Sequence, residues 1–189
     1  MTKNSLKILF IVGLMAILLF PTTSRAEPAV IAYAKITGCN DPGISGTAEL
    51  QEKPSEEGVK QVDVALTING LSDGDHAVHI HETANCTPCG DAGGHFDPGS
   101  HGMSSPDENH PFHAGDLINL KSLDGRAVLK TTTTRITLSP GPLSLFDKDG
   151  SAFIIHTNND TYCPDGVIKG CAGGSRDACG KIMIKKPTN

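Results

Sequence analysis

The sequence predicts an all-β fold, an antiparallel barrel or sandwich of eight strands with two long functional loops, and three observations point to it. Eight short runs of alternating or β-branched residues recur along the chain, each bounded by Gly, Pro, Asn or Asp. No segment sustains the apolar period of about 3.6 residues that marks a helix packed on a core. The 21 glycines and 12 prolines, against 4% aromatic residues, suit a turn-rich chain.

The first element in order is not part of that fold. Residues 1–26 run from Lys3 and Lys7 through thirteen apolar residues, 8–20, to Ser24-Arg25-Ala26. This is the pattern of a secretory signal, with cleavage expected before Glu27. Thirteen apolar residues fall short of the ~20 a membrane-spanning helix needs, and no Cys follows the run to take a lipid, so no membrane attachment is expected after signal removal. An exported product is expected, periplasmic or secreted. Losing Lys3, Lys7 and Arg25 moves the net charge from -5 to -8 over residues 27–189, the expected mature domain. An acidic domain with few aromatics has neither the basic face nor the stacking platform of a nucleic-acid binder.

Strands are then expected at 30–35, 46–52, 61–68, 76–81, 117–121, 126–133, 152–156 and 181–185. The run 61–68, Gln-Val-Asp-Val-Ala-Leu-Thr-Ile, alternates strictly. Turn signals at Ser45-Gly46, Asp73-Gly74, Asp124-Gly125 and Asp149-Gly150 sit where hairpins or crossovers belong. Residues 82–116 and 157–179 break the rhythm, and structureless stretches of this length in a compact domain are usually functional. No internal repeat or second-domain linker is present.

Export bears on the six cysteines, Cys39, Cys86, Cys89, Cys163, Cys171 and Cys179. Their spacings do not form two matched metal-binding pairs, and Cys86-x-x-Cys89 lacks the βαβ context of a redox motif. A disulfide framework is expected.

All eight histidines, His76, His79, His81, His95, His101, His110, His113 and His156, lie between residues 76 and 156, at the first long loop or at strand ends. His79-x-His81 on a strand sends both imidazoles to one face, where they can converge on one ion. A lone pair of this kind says little, since two core histidines would look the same. The weight comes from His95 in Gly93-Gly94-His95-Phe96, His101, His113-Ala-Gly-Asp116 and His156 closing an apolar run. Several imidazoles with one carboxylate suit zinc or copper, whereas calcium and magnesium call for oxygen-rich sets. One structural zinc would leave too many histidines unused.

These residues carry a resemblance. The strings Gly74-Asp-His76-Ala-Val-His79-Ile-His81-Glu82, Gly93-Gly-His95-Phe-Asp-Pro98, His101-Gly102, His113-Ala-Gly-Asp-Leu117, Ile154-Ile-His156-Thr-Asn-Asn-Asp160 and Gly174-Ser-Arg176-Asp-Ala-Cys-Gly180 closely resemble the copper,zinc superoxide dismutases, especially exported bacterial ones. The match covers the mature domain from about its first strand to its last. It implies an eight-stranded Greek-key barrel or sandwich and the conversion of superoxide, the substrate, to dioxygen and hydrogen peroxide.

The resemblance implies copper on His79, His81, His95 and His156, and zinc on His95, His101, His113 and Asp116. His95 then bridges both ions and acts as general acid, because the two nitrogens of an imidazolate can each donate a lone pair. Asp160 matches a carboxylate that orients His79 and His101. Arg176 matches the cation that positions the anionic substrate beside copper, and Lys169 is a candidate for longer-range steering. His76 matches a position that supports the fold. His110 has no counterpart, because the segment between His101 and His113 is longer than the family's common spacing; Gly115-Asp116 favours His113 as ligand.

The resemblance also pairs Cys179 either with Cys86, the bacterial spacing, or with Cys89, the cytosolic eukaryotic spacing, and the bacterial choice is preferred. Cys163 with Cys171 and Cys39 with Cys89 would complete the set. Two other classes compete with the enzyme. A non-catalytic copper carrier would typically lack a copper ligand or the Arg, and a secreted adhesion-type sandwich would bind no metal. The sequence leaves monomer and homodimer both open.

Overall fold

The computed structural model describes residues 29–54, 58–99, 110–164, 166 and 168–185. The expected signal over 1–26 and the expected ligand His101 lie outside them. Nine strands form, β1 (Val30–Gly38), β2 (Ser45–Pro54), β3 (Lys60–Asn69), β4 (Gly74–His76), β5 (Val78–His81), β6 (Leu120–Leu123), β7 (Arg126–Thr133), β8 (Ala152–His156) and β9 (Arg176–Ile184). The only helical element among the described residues is a short 3-10 turn, Cys89–Ala92.

The count is nine and not eight because 76–81 contains two strands. β4 pairs with β6, and β5 pairs with β8. One continuous strand could not serve both partners, so the chain breaks at Ala77, whose N–H donates to the Asn158 carbonyl at 2.8 Å and whose carbonyl accepts from His156 N–H at 2.9 Å. The sheet order is β4-β6-β7-β3-β2-β1-β9-β8-β5. Its two outermost strands are therefore consecutive in the chain, and all pairs are antiparallel. The sheet curls into a nearly closed barrel.

Three expected boundaries shift. Ser45-Gly46 opens β2 and is not a turn, because Gly46 pairs with both Ile36 and Ile68. β6 begins at Leu120, three residues after the expected start. β9 begins at Arg176, five residues before the expected start, so Arg176 and Cys179 stand on a strand and not in the preceding loop. Arg176 pairs in register with His156 across a bulge in β8. The Asp124-Gly125 hairpin forms as expected, with φ of 51° and 69° at its two central residues.

Alternation fills the interior. Ala32, Ala34 and Ile36 of β1, Val62, Val64, Leu66 and Ile68 of β3, and Phe153 and Ile155 of β8 all join one apolar core. β5 and β8 are buried along their whole length. Val78 and Ile80 face the core, which sends His79 and His81 to the outer face of the barrel. There Ala152 and Ile154 of β8 meet Ala92 and Cys179 in a second apolar cluster beneath the first long loop. Burial on both faces explains why β8 reads as an unbroken apolar run.

Three disulfides form, Cys39–Cys89, Cys86–Cys179 and Cys163–Cys171. The first two tie residues 86–89 to the end of β1 and to β9. The third closes the second loop on itself.

Candidate metal centre

β5 is an outermost strand whose open edge is capped by the first long loop. Ile80 N–H donates to the Gly115 carbonyl at 2.9 Å, and the Ile80 carbonyl accepts from Phe96 N–H at 2.8 Å. Isolated bridges set His95 opposite His81 and Asp116 opposite His79. Gly115 permits this approach, since a Cβ there would lie 2.2 Å from the Ile80 carbonyl oxygen. Three histidines and one carboxylate are thus drawn from separate sequence positions onto one wall.

On the first side of the centre, hydrogen bonds fix which nitrogen of each ring carries the proton. His79 Nε2–H donates to Asp160 Oδ2 at 3.0 Å, His81 Nδ1–H to the Gly93 carbonyl at 2.9 Å, and His156 Nδ1–H to the Gly174 carbonyl at 3.0 Å. The opposite nitrogens then carry lone pairs. His79 Nδ1 and His156 Nε2 face each other at 3.2 Å, and His81 Nε2 is buried with no hydrogen-bond partner. Lone pairs brought this close repel unless a cation lies among them. A proton is not the natural one: burial, helped by the charge of neighbouring histidines, lowers His79 to about 4 and His156 to about 3, and holds His81 well below its ordinary value. Ligand atoms of His79, His81, His95 and His156 all lie within 4.8 Å of one another, a donor set that fits a copper or zinc ion.

On the second side, three rings converge on one carboxylate. His95 Nδ1 lies 2.7 Å from Asp116 Oδ1, and His113 Nδ1 lies 3.0 Å from Oδ2, which also accepts the His113 backbone N–H at 2.9 Å. His110 Nδ1 lies 3.2 Å from the same Oδ2. Burial alone would raise the Asp116 pKa, but its contacts with His110, His113 and His95 hold the carboxyl far below the usual range. His79, His95, His110 and Asp116 form a second group of mutually close ligand atoms, so His95 and His79 belong to both groups. Asp160 sits between the two sides. It accepts from His79 through Oδ2 and from His110 Nε2 through Oδ1 at 2.9 Å, and these bonds outweigh burial in lowering its pKa. Burial opposes charge on His110 as well, yet Asp116 and Asp160 raise its pKa to about 9.

Arg176 is fixed close by. Its Nη1 donates to the carbonyls of Cys89 at 2.7 Å and Gly90 at 3.2 Å, and its Nη2 to that of Gly93 at 2.6 Å. The Gly93 carbonyl therefore orients both His81 and Arg176. Gly93 has φ of 76°, a conformation L side chains rarely adopt, and a Cβ there would meet Glu82 Oε1 at 2.5 Å. A cavity of about 370 Å³ opens here, lined among others by His81, His95, His156, Lys169 and Arg176.

The expected residues His79, His81, His95, His113, Asp116, His156, Asp160 and Arg176 are thus gathered in one place. His76 stands apart, its ring nitrogens facing the carbonyl oxygens of His156 at 2.8 Å and Ser72 at 2.9 Å. Among the described residues the histidine partners of the Asp160 carboxylate are His79 and His110, where the resemblance pointed to His79 and His101, and Tyr162 N–H also donates to Oδ1 at 2.7 Å. Two supporting residues escaped the sequence reading. Asn119 brackets Asp160, donating to its carbonyl at 2.9 Å and accepting its N–H at 2.8 Å. Arg135 donates to the carbonyls of Asp116 and Pro111, fastening the loop to the barrel. Neither stands in a motif, so only the fold reveals them. His110 did have a signal, since it lies three residues before His113 and six before Asp116.

Comparison with known proteins places this geometry. Residues 44–182 match the family model described as copper/zinc superoxide dismutase. The chain is 35% identical over 150 residues to a Cu-Zn superoxide dismutase of Deinococcus radiodurans, covering 72% of this chain and 76% of that protein. It is 33% identical over 151 residues to Cu-Zn superoxide dismutase 5 of Dictyostelium discoideum, covering 76% and 93%. It is 34% identical over 147 residues to the superoxide dismutase-like protein YojM of Bacillus subtilis, covering 73% and 69%.

Proposed function

The chain belongs to the copper/zinc superoxide dismutase family and carries that family's activity, and we propose which of its residues perform it. Two superoxide anions and two protons become dioxygen and hydrogen peroxide. His79, His81, His95 and His156 would hold copper. His95, His113 and Asp116 would hold zinc, with His101 as the fourth ligand in the family's pattern. When bound, copper supplies reversible one-electron redox between Cu(II) and Cu(I), and zinc supplies a fixed charge that does not change oxidation state.

The chain's own groups do the rest. Arg176, held rigidly by three carbonyls at the cavity wall, attracts and orients the anion. A recessed cation governs capture through its local field, which is why an acidic domain can still collect an anionic substrate. Lys169, exposed on the cavity rim, extends that field outward. His95, with Nδ1 directed at Asp116, is placed to deliver a proton from Nε2 to the departing peroxide as general acid. Asp160 keeps the His79 proton on Nε2 and so keeps Nδ1 a donor.

The observation that carries this reading is the convergence of deprotonated ring nitrogens from His79, His81 and His156 beside an immobilised arginine. A metal carrier would need the first feature and not the second. Metal content together with superoxide consumption by the copper- and zinc-loaded protein tests the choice. An active protein with one copper and one zinc is expected. Full metal content without turnover would favour a carrier, and no metal at all an adhesion-type sandwich.

Export is part of the proposal. The sequence of residues 1–26 and the use of all six cysteines in disulfides support an oxidising compartment. Mass spectrometry of the mature chain should find Glu27 at its N-terminus.

A further inference from the structure

We propose that the Cys163–Cys171 disulfide is a positioning device for the copper side of the centre, holding in place the two acceptors that aim His79 and His156. This role rests on the two-metal reading above, which it deepens. Two antiparallel arms run from β8 and β9 into the second long loop. Thr157 N–H donates to the Ser175 carbonyl at 2.9 Å, Asn158 N–H to that of Gly173 at 3.0 Å, and Thr161 N–H to that of Cys171 at 2.9 Å. Asp160 stands opposite Ala172 between them. The disulfide closes this ladder at its outer end. Asp160, which accepts from His79, lies three residues before Cys163, and Gly174, whose carbonyl accepts from His156, lies three residues after Cys171. The bridge thus links the two arms that turn His79 Nδ1 and His156 Nε2 toward each other at 3.2 Å.

Its position suits local work better than global stapling. Only 8 positions separate its cysteines, against 50 for Cys39–Cys89 and 93 for Cys86–Cys179. A bridge restricts the unfolded chain less when it closes a shorter loop, so this one is the weakest global staple of the three. The turn beside it needs holding. Tyr162 and Cys163 have φ of 60° and 46°, a left-handed conformation that L residues avoid and that persists only where the surroundings impose it. That turn brings Tyr162 N–H back to Asp160 Oδ1 at 2.7 Å. Asn119 already brackets the Asp160 main chain, so this contact adds control of the carboxylate. On the other arm Gly173 packs so closely that a Cβ there would lie 2.7 Å from that of His156. Both cysteines are buried and line the cavity with His81, His95 and His156.

The test is proton NMR of the mature protein loaded with copper(I) and zinc, which is diamagnetic, beside its Cys163→Ala/Cys171→Ala variant. Solvent exchange of the His79 Nε2 and His156 Nδ1 protons should quicken by about tenfold in the variant, the equilibrium weight of roughly one hydrogen bond. The His81 Nδ1 proton, held by the Gly93 carbonyl of the first loop, should keep the parent rate. Copper affinity, read by chelator competition, should fall by ~10-fold, the lower end of the range for a lost orienting partner. Zinc affinity should fall by less, because the Gly174 carbonyl serves the copper side alone. If the variant does not fold, the parent is opened stepwise with a phosphine reductant, each bridge being followed by alkylation and mass spectrometry. Exchange at His79 and His156 should then track the opening of Cys163–Cys171. Unchanged exchange at either ring, equal acceleration at His81, or equal weakening of both metals would overturn the positioning role and leave the two-metal reading intact. A parent protein that binds no copper would overturn both.

Discussion

The two sides of the metal centre are built by different means. His79, His81 and His156 stand on β5 and β8, and each ring is aimed by an acceptor outside its own cluster: Asp160, the Gly93 carbonyl and the Gly174 carbonyl. His95, His110 and His113 stand on connecting segments, and all three turn to Asp116, a member of their own group. The first side is therefore preorganised by the barrel, while the second depends on charge gathered at one carboxylate. The redox ion would enter a rigid frame, and the redox-silent ion would help to make its own.

The largest effect expected from this difference is local. His79→Ala should reduce turnover to the background of the uncatalysed reaction while zinc stays bound, as read by a superoxide-consumption assay and metal content. Asp116→Asn should do the reverse. Zinc affinity should fall more than ~100-fold, beyond the range for an orienting partner, with the copper(II) electron-spin spectrum largely kept. If His79→Ala released zinc as readily as Asp116→Asn, the two sides would not be separately built.

Asp160 joins the two sides, so its loss should blur the distinction. Asp160→Asn keeps the shape but not the charge, and both metals should weaken by ~10–100-fold, measured by chelator competition. A change confined to one metal would mean that the carboxylate serves one ring only.

Arg176 sharpens the comparison, because it shares the Gly93 carbonyl with His81 and belongs to the rigid side. Arg176→Ala should lower kcat/KM by about tenfold or more, within the range that local fields confer on encounter, and flatten its dependence on ionic strength. Metal content should not change. Unaltered salt dependence would remove Arg176 from substrate capture.

The smallest effect lies outside the ligand groups, near the end of β2. Glu52 is buried and accepts from the backbone N–H groups of Leu138 at 2.5 Å and Ser139 at 2.9 Å, with Lys60 3.0 Å away. Burial alone would raise its pKa, but these bonds and Lys60 bring it below the ordinary value. A lowered carboxylate pKa gives stability that is present above the unfolded-state value of about 4.3 and is lost as pH falls through the folded value. Denaturation of the parent should therefore steepen below about pH 4, and Glu52→Gln should cost about 1–3 kcal/mol at neutral pH and flatten that limb. An unchanged acid limb would assign it to other groups.

Most strands were legible because alternation is a property of the chain itself. β3, β7 and β8 lie where Val62 to Ile68, Arg126 to Thr133 and Ala152 to His156 place them. What the sequence concealed was pairing. Nothing around Ala77 announces that one apolar run serves two partners, and β9 extends to Arg176 through polar residues that read as loop. The centre was legible through its residue types and spacings, since His79-x-His81 needs only a strand to converge. Asn119 and Arg135 were not, because single hydrogen bonds to backbone leave no pattern. His110 lay between these cases, with a telling spacing whose meaning came only from the two carboxylates it touches.

The central claim is that His95 is shared between a redox-active and a redox-silent ion. Anomalous diffraction from crystals of the metal-loaded protein, recorded at the copper and zinc absorption edges, tests it most directly. A copper peak is expected among His79, His81 and His156, a zinc peak beside Asp116, and the His95 ring between them. A single ion, or two ions that do not both contact His95, would contradict it.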